Sequence, residues 1–127
     1  MKYLTFLTIA TFIFASQSCY YDNEEDLYQF FNSGDCDTTN VTYSAEVVTT
    51  LGQYCYTCHN AQTAATLGAG IDISTYQQAK AYVDDGSLYG SIIHTAGFSP
   101  MPQGTGKIPQ CDQDIIKAWI DAGAPNN

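Results

Sequence analysis

Apolar side chains recur at helical spacing near the end of the chain, where Ile115, Ile116, Trp119 and Ile120 fall on one face. Asp112 and Asp114 precede them, where a helix dipole favours negative charge. Gly123 fits the C′ position and Pro125 follows the stop. Further upstream, Val47, Val48 and Leu51 repeat at the same spacing behind Ser44, an N-cap residue type, with Glu46 in the first turn. This helix is expected to run into Tyr54 and residues 55–59. Ser74 predicts a second helix to about residue 83, and Ser87 a third to about residue 95. Residues 61–70 form a Gly- and Ala-rich loop, and 97–109 a loop broken by Gly104, Gly106 and the prolines. No alternating run argues for a sheet and no segment repeats. The expected fold class is all-α.

The N-terminal stretch follows another pattern. Lys2 precedes an apolar run over residues 3–15, and small residues then lead to Ser16-Gln17-Ser18 before Cys19. This order predicts a signal peptide over residues 1–18. The run is short for a bilayer span, which needs about 20 residues, so a retained anchor is the weaker reading. Cys19 stands at the processing point of a bacterial lipoprotein, which predicts a diacylated Cys19 and an exported, lipid-anchored chain. Ser16 occupies the place where Leu is usual, and ordinary cleavage before Cys19 fits as well. Residues 19–40 read as an acidic tether, and 41–127 as the domain proper. The cluster from Asp22 to Asp26 resembles acidic signals that send some lipoproteins to the cell surface. Tyr28, Phe30 and Phe31 have no packing partner legible in the sequence.

Charge narrows the partners. The 127 residues hold thirteen Asp and Glu against four Lys and Arg, a net charge of −9. With Lys2 removed, Lys80, Lys107 and Lys117 are the remaining basic side chains. Such a chain is not drawn to nucleic acid or to anionic headgroups, and a charged partner should present a basic face. A domain this small buries little core, and exported domains of its size commonly carry a staple.

One string carries chemistry: Cys55-Tyr56-Thr57-Cys58-His59, the C-x-x-C-H of a c-type haem attachment site. Cysteines three apart lie on one side of a helical turn, roughly 5–6 Å between Cβ atoms, so both thiols reach the two vinyl groups of one haem. The histidine after them is carried under the iron as proximal ligand. Random placement of five Cys and two His would produce this string in only about three of a thousand such chains. Three readings compete. A thioredoxin-like C-x-x-C needs a βαβ context that the pattern lacks. A zinc site needs two further ligands, for which Cys36 and Cys111 stand available. A Cys55–Cys58 disulfide would close a loop too small to stabilise much.

Taking Cys55 and Cys58 for haem and Cys19 for lipid leaves Cys36 and Cys111, which flank the domain and could pair; two free thiols are the alternative. Met101 becomes the sole methionine once Met1 is cleaved with the leader. It sits in Ser99-Pro100-Met101-Pro102, where flanking prolines stiffen the backbone. A stiff loop can hold a weak thioether on iron, with a raised reduction potential. The other readings are a core-filling methionine, His94 as sixth ligand, or an open sixth position.

From Val41 to the C-terminus the chain resembles the small class I (mono-haem) cytochrome c domains of bacterial lipoproteins. The resemblance rests on a helix leading into Cys55-Tyr56-Thr57-Cys58-His59, on the Met101-Pro102 loop, and on the last helix with its ending Trp119-Ile120-Asp121-Ala122-Gly123-Ala124. It implies an all-α, cytochrome c-like fold wrapped around one covalent haem c, with His59 and Met101 as axial ligands. The first and last helices are then expected to cross near the haem edge. Soluble members of the family carry a ring of lysines there; this chain does not, so its docking surface must differ. The expected role is a membrane-tethered one-electron carrier on the outer side of a bacterial membrane, serving redox partner proteins. Filled axial positions leave no place for substrate, so no enzyme is expected. The rival roles are a gas sensor or weak peroxidase with a displaceable sixth ligand, and an electron-transfer subunit of a dehydrogenase complex.

Overall fold

The first helical segment opens on a π turn, Tyr43–Val47, in which Val47 N–H reaches back five residues to the Thr42 carbonyl at 3.2 Å. The extra residue in this turn places Glu46 one position further from the cap than the usual box spacing. Its carboxylate still folds back, accepting from Thr42 N at 2.8 Å and Thr42 Oγ at 2.9 Å. Thr42, in extended conformation, is therefore the cap. Ser44 lies inside the turn, two positions later than its expected role. Two further helix-start donors are met by Asn127: Tyr43 N donates to Asn127 Oδ1 (2.8 Å) and Ser44 N to Asn127 O (3.0 Å). Helix α1, Val48–Tyr54, continues without a break.

This is a computed structural model, and it describes residues 36–127. The leader, the Cys19 processing point and the acidic tract expected from the sequence lie outside the described residues. Asp35–Asn127 cluster as one compact unit.

Four more helices follow: α2 (Ala64–Leu67), α3 (Tyr76–Asp84), α4 (Ser87–Ile92) and α5 (Gln110–Asp121). The described residues hold helices and no strand, which makes this part of the chain all-α. None of these helices is long and apolar enough to cross a membrane. Thr75, not Ser74, caps α3, through a reciprocal box with Gln78. Ser74 is occupied by Asp72, which accepts its N–H at 2.9 Å and its hydroxyl at 2.7 Å. The α4 helix stops three residues short of the expected Thr95, because His94 turns left-handed (φ 55°).

The α5 helix ends in a Schellman motif. Gly123 (φ 92°) donates to Ile120 O at 2.9 Å, and Ala124 donates to Trp119 O at 2.9 Å. The buried Ala124 thus packs beside Trp119, and Trp119 Nε1 donates to Pro125 O at 2.9 Å. Tyr76 donates its hydroxyl to Ala124 O at 2.8 Å, tying α3 to the same corner.

The core sits where α5 crosses the π turn and α4. Val47, Leu51, Ile116 and Trp119 are fully buried there, and the Tyr43 ring packs 5.4 Å from Trp119 and edge-on to Tyr76 at 5.1 Å. Truncating Trp119 or Leu51 to Ala should therefore cost about 2–5 kcal/mol. Near the start of α5, the Cys36 and Cys111 sulfurs stand at bonding distance, 2.08 Å, with their Cα atoms 5.5 Å apart.

Candidate functional site

The α1 helix delivers the Cys55–His59 segment from an anchored end. Tyr54 donates its hydroxyl to Asp112 Oδ2 at 2.8 Å, so the last residue of α1 is pinned to the first turn of α5. The Leu51 carbonyl then accepts both Cys55 N (2.8 Å) and Tyr56 N (3.0 Å), which ends the helix. A second tight turn follows, in which the Cys55 carbonyl accepts Cys58 N (3.1 Å) and His59 N (2.9 Å). Cys55, Cys58 and His59 therefore share one turn just past α1. Both cysteines carry free thiols and are half-buried.

Burial pushes the Cys55 thiol up to about 11. It stays protonated at neutral pH, the opposite of the lowered thiol of a redox-active C-x-x-C. Cys36 and Cys111 stand against each other, so a four-cysteine zinc set with this turn is not assembled.

The segment after His59 wraps back over it. Asn60 braces the turn: its side-chain amide donates to Tyr56 O, while its Oδ1 accepts Gln62 N (2.8 Å) and Thr63 N (3.1 Å). Thr63 Oγ donates to Cys58 O at 3.2 Å, and α2 follows at once. The chain then returns past Gly68, where an added Cβ would lie 2.5 Å from Cys58 O and 3.0 Å from His59 Nδ1. Only glycine leaves room for this approach. Ile73 N closes the loop on His59 O at 3.2 Å.

The His59 ring is oriented by this loop. Nδ1 lies 3.0 Å from the Ile71 carbonyl oxygen. A carbonyl accepts only, so Nδ1 carries the proton and, in the neutral ring, the lone pair is left on Nε2. That is the tautomer a metal-ligating imidazole takes when its second nitrogen is tied to a backbone carbonyl.

Met101, half-exposed, is held in a second local frame, on α4. Its N–H donates to Ser91 O at 3.0 Å, and its carbonyl lies 3.0 Å from His94 Nε2. Among the described residues no hydrogen bond joins this frame to the Cys55–His59 turn. The Nε2 of His94 is engaged as a donor and offers no lone pair.

Tyr56, between the two cysteines, runs inward towards Tyr43. The two hydroxyls are buried near each other without a well-formed hydrogen bond, and burial raises both phenols above the ordinary tyrosine range.

Three contributors escaped the sequence reading. The Ile71 carbonyl leaves no mark in a side-chain pattern. Asn60 and Gly68 do: Asn favours such side-chain turns, and a glycine in a returning loop marks close approach of backbone. Comparison with protein-family models, with curated proteins and with solved structures finds no match.

Proposed function

We propose that this chain is a mono-haem c-type cytochrome that carries single electrons. One observation supports the reading above the rest: His59 Nδ1 is tied to the Ile71 carbonyl beside two free thiols on the same turn, leaving Nε2 to ligate a metal. These residues fit a covalently attached haem. Cys55 and Cys58 would hold it through thioethers, His59 would be the proximal ligand, and Met101 the distal one. When bound, the haem supplies a one-electron ferric/ferrous couple.

The chain's own part is binding, orientation and exclusion of water. Cys55 packs against the core, which would shield its side of the attachment from water. The loop from Asn60 to Ile73 fixes the His59 ring and its tautomer, so Nε2 would be pre-oriented to hold the iron. Met101 would donate its thioether, a soft ligand that favours ferrous iron and raises the potential.

Recognition of partners falls to an acidic surface. Lys80 pairs with Asp84, and Lys117 with Asp121 at 2.5 Å, each one helical turn apart. These pairs leave Lys107 as the basic side chain without a carboxylate partner among the described residues. A redox partner with a basic docking face follows from this. The leader and Cys19 support export and lipid anchoring on the outer side of a bacterial membrane.

A redox titration of the purified exported protein tests the carrier role. It should show one reversible one-electron wave. An iron that cannot be cycled reversibly would refute it.

A further inference from the structure

His94 is the one histidine that the proposed function leaves without a task, and its place in the fold is unusual. It follows α4 with φ 55°, a left-handed conformation that few side-chain-bearing residues adopt, though histidine is among the enriched ones. That conformation turns the chain sharply away from α4. The following loop is closed back onto the same helix. Thr95 N donates to Gly90 O at 2.8 Å, and Phe98 N to Thr95 O at 3.2 Å. The Phe98 ring lies so close to Gly90 that an added Cβ would sit 2.4 Å from it. The loop ends at Met101, whose N–H meets Ser91 O.

The His94 ring reaches across this loop to the Met101 carbonyl. Nε2 lies 3.0 Å from the oxygen, and a carbonyl can only accept. Neutral His94 therefore carries its proton on Nε2. Both backbone polar groups of Met101 are thus fixed, one to Ser91 in α4 and one to His94 just past its end. The side chain of Met101 springs from a Cα held on both sides.

We infer that His94 is a positioning residue for the Met101 ligand, setting where the thioether stands and how readily it is displaced. This rests on the reading of the chain as a haem c protein with Met101 as distal ligand. His94 does not bind the iron. It removes the freedom of the Met101 backbone, so the thioether competes better with outside ligands. Loss of one such hydrogen bond corresponds to roughly a tenfold change in the ligand-off population.

The test uses the full-length holoprotein and two substitutions. His94→Gly removes the ring while accepting the left-handed backbone. His94→Gln keeps an N–H donor at about the reach of Nε2. Covalent haem on a denaturing gel is checked in every variant. His94→Gly should weaken the ferric sulfur-to-iron charge-transfer band and raise ferrous carbon monoxide affinity by roughly tenfold. His94→Gln should recover most of the band.

A band and an affinity unchanged in His94→Gly, with haem covalently bound, would overturn this inference alone. So would a His94→Gln variant no better than His94→Gly. A wild-type protein without this band, whose six-coordination survives Met101→Ala and is lost in His94→Gly, would make His94 the ligand and overturn it. Absence of covalent haem from wild-type protein would overturn the cytochrome reading and this inference together.

Discussion

The Gly68 Cα passes so close to the Cys55–His59 turn that a methyl group there would meet the Cys58 carbonyl oxygen at 2.5 Å and His59 Nδ1 at 3.0 Å. The Cys58 obstacle is backbone and cannot swing aside. Gly68→Ala should therefore push the returning loop off His59 and loosen the Nδ1 bond to Ile71. The expected cost is about 1–3 kcal/mol in unfolding free energy, with a lower yield of haem-loaded protein. Chemical denaturation of the purified variant measures the first effect, and haem absorbance per protein the second. A variant as stable and as fully loaded as wild type would show that the loop is free to adapt.

The tyrosine pair makes a prediction about alkaline pH. Burial raises the Tyr43 and Tyr56 phenols in the folded chain, so the unfolded chain loses its protons first. Their stabilising effect is complete below the ordinary tyrosine pKa of about 10 and is lost as pH climbs through the raised folded values. Tyr56→Phe removes one of these ionisations together with a buried hydroxyl that lacks a partner. At neutral pH it should be neutral or stabilising by up to about 1 kcal/mol. Above pH ~10 its unfolding midpoint should fall less steeply than that of wild type. A steeper fall would contradict the burial argument.

Cys36 and Cys111 should be recovered as one disulfide-linked peptide pair in a digest run without reduction. The bridge spans a separation of 75 residues, which by loop entropy is worth up to about 4–5 kcal/mol. The covalent haem proposed for this chain would also restrain it when unfolded, so the double Cys→Ser variant should then lose less than this. Two freely alkylated thiols in native exported protein would refute the pairing.

The elements differ in how far the sequence announces them. The α5 helix is written almost completely in local signals: acidic residues at its start, four apolar positions on one face, and a glycine whose left-handed turn closes the Schellman motif. Helix starts are less legible because neighbouring Ser, Thr and Asp compete for the same backbone donors. Asp72 captures Ser74 and leaves Thr75 to cap α3. The π turn at Tyr43 is invisible to a 3.6-residue pattern, and α2 has too few residues to show a period. At the site, Cys55, Cys58, His59 and Met101 are legible as residue types. Their orientation is not, because it depends on backbone carbonyls at Ile71, Ser91 and Met101 that no side chain identifies.

Met101→Ala tests the distal ligand. The ferric protein should lose its sulfur-to-iron band, the ferrous protein should bind carbon monoxide readily, and the reduction potential should fall, since thioether ligation favours ferrous iron. Wild-type ferrous protein should bind carbon monoxide poorly. Ready binding by wild type would point instead to a sensor or peroxidase with a displaceable ligand.

The most direct measurement is the mass of the peptide that carries residues 55–59. Protein exported through the cytochrome c maturation machinery is denatured, extracted with acid acetone, digested and weighed. The peptide should be heavier by one haem, joined through both Cys55 and Cys58. Cys58→Ala should leave a single, weaker attachment. An unmodified peptide, with all haem removed by the extraction, would contradict the account.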